Sequence, residues 1–314
     1  MPVDEVRLAF DADNLFVLEI VLGFVMFGVA LDLRLGDFRQ LLKAPKAPAI
    51  GLLCQFLLMP ALTWGLSRIL LGLGWISPSM ALGMILVAAC PGGNVSNFIT
   101  HLAGGRTTTS IGMTAVSTLA SVVMTPLSIG IWGSMSADTA AIMSEVAMDP
   151  LDMLRAVTLM LGIPIVVGVT ISTRWPELAA KLHPPFKWLS VAFFITFIGL
   201  AMKANFDTFV AYLPAVFLPV LIMNAAALGV GFWVARLAGL DTADQRAVSI
   251  EVGIQNSGLG LILIFGFFAG LGGMALIAAW WGVWHIIAGL TLAFVWTRGD
   301  RKRAAAGGST PAPT

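Results

Sequence analysis

The chain has 314 residues, 58% of them hydrophobic and 11% charged, with a formal net charge of +1 and a mean hydropathy of +0.91. Eighteen basic and 17 acidic side chains cannot cover the surface of a soluble protein of this length, and near-neutrality excludes a broad electrostatic partner such as nucleic acid. An all-α integral membrane protein is the fold class this composition predicts, with the lipid bilayer as its main surroundings.

The N-terminal residues MPVDEVRLAFDAD carry four acids and one Arg, the opposite of a basic signal-peptide start, so the first apolar run is expected to be retained. With roughly 20 residues needed to cross about 30 Å of hydrocarbon, nine spans follow in order: 14–31, 47–69, 79–100, 108–132, 151–173, 188–203, 210–236, 246–269 and 274–297. Pro60, Pro126 and Pro164 fall inside spans and read as kinks. Residues 298–314, basic and then small and polar, read as a disordered tail. Alternate connections divide the 18 Lys and Arg residues into a set of fourteen and a set of four: Arg7, Arg68, Arg155 and Lys203. The richer side is cytoplasmic. This puts residues 1–13 outside and the C-terminus in the cytoplasm of a cell-membrane protein, and requires an odd number of spans.

A weak repeat runs through the chain. Gln55, a basic turn and the polar break PGGNVSN (91–97) are echoed by Asn224, a basic turn and the break EVGIQNSG (251–258). The two copies begin on opposite sides of the membrane, which is the inverted arrangement of a secondary transporter with discontinuous helices.

Glu251 is the sharpest chemical feature. A carboxylate at bilayer depth costs at least about 2.5–3.5 kcal/mol on insertion scales, so it faces a cavity, a cation, a proton path or a hydrogen-bonding neighbour. Around it stand Gln255, Asn256 and Ser257, with glycines at 253, 258 and 260 weakening the helix. In the first break, Pro91 and two glycines interrupt the helix beside Asn94, Ser96 and Asn97. Freed backbone groups there must find protein, water or ligand partners. Ser110, Thr114, Ser117, Ser121 and Thr125 share one helical face, a pattern that serves close helix packing as readily as binding. Gln55 and Asn224 as lone amides fit interhelical glue, and His285 fits a packed residue as well as a proton or substrate group. Cys54 and Cys90 show no disulfide or metal spacing. The oxygen-rich breaks suit a hard monovalent cation such as sodium better than a transition metal. No nucleotide loop, HExxH or GxSxG is present, so an enzyme is not expected.

CPGGNVSNFITHLAGGRTTTSIGMTAVSTLASVVMTPL and IEVGIQNSGL resemble the two signature regions of the bile acid:sodium symporter family, in the right order, about 155 residues apart, with similarity from about Leu15 to Trp296. The resemblance implies a panel domain (14–31 and 151–203) and a core domain (47–132 and 210–297) whose two broken helices cross. It implies two sodium ions. One site would use Ser96, Asn97, Ser110, Thr114 and Glu251; the second would use Gln55, Glu251, Gln255 and the carbonyls of Val252 and Ile254. Asn94, Asn256 and His285 are the implied contacts of a small organic anion. Asn94 replaces the Thr of many members, and Ile286 replaces a frequent Asn. The start of the chain resembles the nine-span animal members. The expected activity is sodium-coupled symport by alternating access, with no obligatory protein partner; a proton-coupled carrier using Glu251 and an arsenite-type efflux carrier using Cys90 are the alternatives.

Overall fold

The computed structural model describes residues 15–32, 43–145 and 150–305, together with Asp4 and Leu41. The described residues form twelve helices and no strand: α1 Leu15–Asp32, α2 Lys46–Gly72, α3 Pro78–Ala89, α4 Val95–Leu102, α5 Thr107–Ser134, α6 Ala137–Glu145, α7 Pro150–Arg174, α8 Pro176–Ala204, α9 Phe206–Leu237, α10 Thr242–Gly253, α11 Ser257–Phe267 and α12 Gly272–Ala305. Four of them, Lys46–Gly72, Thr107–Ser134, Phe206–Leu237 and Gly272–Arg303, are long and apolar enough to cross a bilayer unaided.

Both glycine-broken segments divide a predicted span in two. The span expected at 79–100 is α3 and α4, and that expected at 246–269 is α10 and α11. Several boundaries differ from expectation. The stretch 133–150, read as a connection, contains α6, and the stretch holding Lys181 and Lys187 lies inside α8, which passes through Pro184 and Pro185. The C-terminal segment is helical to Ala305 rather than disordered from residue 298, and Asp300 within it is bonded to Arg246. Residues 306–314, Arg34, Arg39 and the N-terminal segment other than Asp4 lie outside the described residues.

Pro126 and Pro164 sit within continuous helices, but Pro60 has a more specific consequence. Directly before it, Cys54–Leu58 is a π-helical turn, with the Met59 N–H bonded back to Cys54 O. A proline has no N–H and its ring crowds the carbonyl four residues earlier, here that of Phe56, so widening the turn relieves the clash. The wide turn places Gln55 in the interior, only 1% exposed.

The core is centred on α3, in which every residue from Ser79 to Ala89 is buried. The helix starts cleanly: Ser77 Oγ accepts from Met80 N at 3.4 Å, Pro78 takes the first position, and Asp4 Oδ1 accepts from Ser79 N at 2.8 Å. Helix α3 packs between α2, α5 and α12, and the apolar core continues through Leu263, Ile264, Ile277 and Trp281. Helix α1 packs chiefly on α7 and α8, and this group meets the remainder through α5 and α11.

Candidate functional site

The two breaks are joined to each other. Gly92 and Gln255 form an isolated antiparallel bridge, with Gly93 N donating to Ile254 O at 2.9 Å and Asn256 N donating to Pro91 O at 2.8 Å. Each break thereby supplies the backbone partners that the other lost when its helix stopped.

The carbonyls just before each break are capped from neighbouring helices in a matching way. Gln55 Nε2 on α2 donates to Cys90 O at 2.8 Å, and Asn224 Nδ2 on α9 donates to Gly253 O at 2.7 Å. The same amide-to-carbonyl contact thus recurs in both copies of the sequence repeat. Thr125 Oγ1 adds a 2.7 Å bond to Ala89 O. Replacing Thr125 by Val or Asn224 by Leu leaves a buried carbonyl without this donor and is expected to cost about 1–3 kcal/mol, read as a lowered midpoint of thermal unfolding in detergent.

Glu251, 2% exposed, occupies the last turn of α10 directly against the first break. A Cβ built on Gly92 would overlap its Oε1. Ser96 Oγ on α4 donates to Glu251 Oε2 at 2.6 Å, and Thr114 Oγ1 on α5 lies 2.7 Å from Oε1. Ser110 Oγ lies 3.1 Å from Oε2 and 2.8 Å from Asn97 Oδ1, which is also 3.2 Å from Thr114 Oγ1. All five residues expected around one cation, Ser96, Asn97, Ser110, Thr114 and Glu251, therefore meet in one cluster. Thr100, which sequence reasoning missed, donates to Ser110 Oγ at 3.3 Å and extends it. Its spacing of four from Ser96 was the available signal.

The second expected group assembles around amides. Gln55 Nε2 donates to Gln255 Oε1 at 2.8 Å, and Gln255 Nε2 donates to Gln55 Oε1 at 3.3 Å and to Val252 O at 2.8 Å. Ile254 O is taken by Gly93 N, leaving its second lone pair. Gln55, Gln255 and Val252 meet directly; Ile254 joins through the backbone bridge, and the carboxylate of Glu251 points to the hydroxyl cluster. The hydroxyl stripe on α5 divides: Ser110 and Thr114 face Glu251, Thr125 caps Ala89, and Ser117 and Ser121 bond within their own helix to Thr114 O and Thr118 O.

The three expected anion contacts are more dispersed. Asn94 is exposed at the start of α4, with no capping bond from its side chain. Asn256 caps α11, its Oδ1 accepting from Leu259 N at 3.0 Å, so its amide N–H groups remain available. His285 is 5% exposed, and its Nδ1 is buried without a partner. It lies on the face of α12 where Gly282 adjoins Ser257 and Gly289 adjoins Ile254 and Ile99, that is, against the second break. Cys90 contributes its carbonyl rather than its thiol, which is buried.

The Sodium Bile acid symporter family model matches residues 19–212. The chain is 31% identical over 303 residues to the uncharacterized sodium-dependent transporter YocS of Bacillus subtilis, covering 95% of this chain and 90% of the relative. It is 31% identical over 283 residues to the probable sodium/metabolite cotransporter BASS1, chloroplastic, of Arabidopsis thaliana, covering 90% and 67%. With the human ileal sodium/bile acid cotransporter it shares 29% identity over 244 residues, covering 77% and 67%. The chain belongs to the sodium bile acid symporter family of membrane transporters.

Proposed function

We propose that the protein is a secondary active transporter that couples the movement of two sodium ions to uptake of a small organic anion by alternating access. The observation that carries this reading is the convergence of hydroxyl, amide and carboxylate oxygens from three helices on one buried point beside Glu251. Three hydroxyls, each with one proton, make five side-chain oxygen contacts to Glu251 and Asn97. Three protons cannot fully serve five contacts while Glu251 is ionised and Asn97 presents its oxygen, and a small cation bonded to several of these oxygens completes the arrangement.

Ser96, Asn97, Ser110, Thr114 and Glu251 hold the first ion. Gln55 on α2, with Gln255, Glu251 and the carbonyls of Val252 and Ile254 from the second break, holds the second, and the two breaks are bonded to each other. Occupying both sites fixes the relative position of the half-helices, and the anion binds beside them to Asn94, the amide of Asn256 and His285. The group formed by α1, α7 and α8 is the panel against which the remaining core moves, in a nine-span cell-membrane protein with its C-terminus in the cytoplasm.

The driving force can be sized. Two sodium ions with one monoanion carry one net positive charge, worth about 2.3 kcal/mol per 100 mV. At about 1.4 kcal/mol per tenfold, that supports roughly fifty-fold accumulation. The expected result is an inward current on adding substrate that vanishes when choline replaces sodium at fixed pH. A current that persists in choline and follows the proton gradient would assign Glu251 to proton coupling instead. A thermal-shift screen of organic anions, run with and without sodium, identifies the substrate class: stabilisation is expected only when both are present.

A further inference from the structure

We propose that Arg246 is a positioning residue for sodium: it locks the cytoplasmic ends of the two half-helices that carry the first cation site, and Asp300 is the counter-ion that keeps it there. The inference rests on the sodium reading above. Read from sequence, Arg246 is a cation in a cytoplasmic connection; in the structure it lies inside α10 and is 7% exposed.

Its guanidinium joins three elements. Nη1 donates to Ala103 O, directly after α4, at 2.8 Å; Nη1 and Nη2 grip Asp300 on α12 at 2.7 and 2.9 Å; and the group lies over the Trp296 ring, 5.4 Å from its centroid. Gly104, at φ 66°, lets the chain turn tightly here, and a Cβ at that position would sit 3.1 Å from Nη1. A second tie lies alongside: Arg106 N donates to Ala243 O at 2.9 Å, and its side chain bonds Asp241 and Asp244.

The two half-helices tied in this way are α4, which carries Ser96 and Asn97, and α10, which carries Glu251. Their other ends meet at the break, through Ser96 and Glu251 at 2.6 Å. With one end of the pair clamped by Arg246 and the other closed by the cation, the separation of the cation ligands depends on both. A buried arginine without its carboxylate partner is strongly unfavourable, so loss of Asp300 disturbs the clamp from α12. Lysine at 246 keeps the charge but cannot reproduce the planar fork that serves a carboxylate and a carbonyl together.

The test uses the purified full-length chain and titrates sodium against thermal stability, with Arg246→Lys and Asp300→Asn beside the wild type. Supporting groups around a metal's ligands typically contribute about 10- to 100-fold in affinity. Arg246→Lys is therefore expected to raise the sodium concentration for half-maximal protection about tenfold or more. Asp300→Asn, which leaves the Arg246 guanidinium in place without its carboxylate, is expected to raise it in the same direction, with the maximal rate of uptake at saturating sodium largely kept. A purely structural role would lower the melting temperature equally at every sodium concentration and leave the midpoint where it was; that outcome overturns the proposal. Wild-type protein that gains no stability from sodium would overturn the sodium reading itself, and this proposal with it.

Discussion

Glutamine at position 251 is expected to abolish sodium-dependent uptake while leaving the protein folded. The substitution keeps the shape of the side chain but removes the only negative charge in the cluster, and it replaces one carboxylate oxygen by an N–H donor. Ser96, Ser110 and Thr114 all lie within 3.1 Å of the two carboxylate oxygens, so at least one hydroxyl must turn away from the new N–H group. Hydrogen bonds to a charged group contribute about 1.5–3 kcal/mol each. Those bonds act on stability with or without sodium; the missing charge and the missing oxygen ligand act on sodium itself, and the expected loss of affinity is about a hundredfold or more, about 2.8 kcal/mol at about 1.4 kcal/mol per tenfold. Sodium titration of thermal stability and sodium-driven uptake both measure it. A Glu251→Gln protein that retains wild-type sodium protection would remove Glu251 from the cation sites.

The expectations that held were those fixed by local chemistry. Pro91 with Gly92 and Gly93 cannot continue a helix, and the chain does leave helical geometry there; the glycine-flanked segment after Glu251 does the same. The matching roles of Gln55 and Asn224 were visible as a faint repeat because each break needs a donor for its last carbonyl. What could not be read depended on packing between distant elements. Arg246 follows a polar turn, and only the approach of Asp300, 54 residues later, turns it from a loop cation into a buried one. The π turn at Cys54–Leu58 has no residue signature beyond Pro60, and His285 could be placed against the second break only once Gly282 and Gly289 were seen beside Ser257 and Ile254. The α5 stripe shows the limit of periodicity: spacing put five hydroxyls on one face, but which of them meet a carboxylate depends on where α4 and α10 end.

Gly92 is the position where the smallest change is expected to have a large effect. A Cβ there would overlap Glu251 Oε1 and approach Cδ to 2.9 Å, so the carboxylate must swing away from Thr114 or the bridge to Gln255 must open. Neither movement is cheap, because the bridge supplies backbone partners to both breaks and the carboxylate is held by hydroxyls from α4 and α5. Gly92→Ala is expected to weaken sodium protection by at least about tenfold, since an ångström-scale displacement of one oxygen ligand costs more than about 1.4 kcal/mol in a buried site. The natural control is Gly229→Ala on α9, where a Cβ meets nothing within 4 Å. Alanine in a helix interior stabilises by roughly 0.5–1 kcal/mol relative to glycine. That variant should therefore melt slightly higher than wild type with an unchanged sodium midpoint. The contrast separates the close approach at the break from a general intolerance of glycine replacement; equal sodium midpoints for the two variants would show that Gly92 does not control where the Glu251 carboxylate sits.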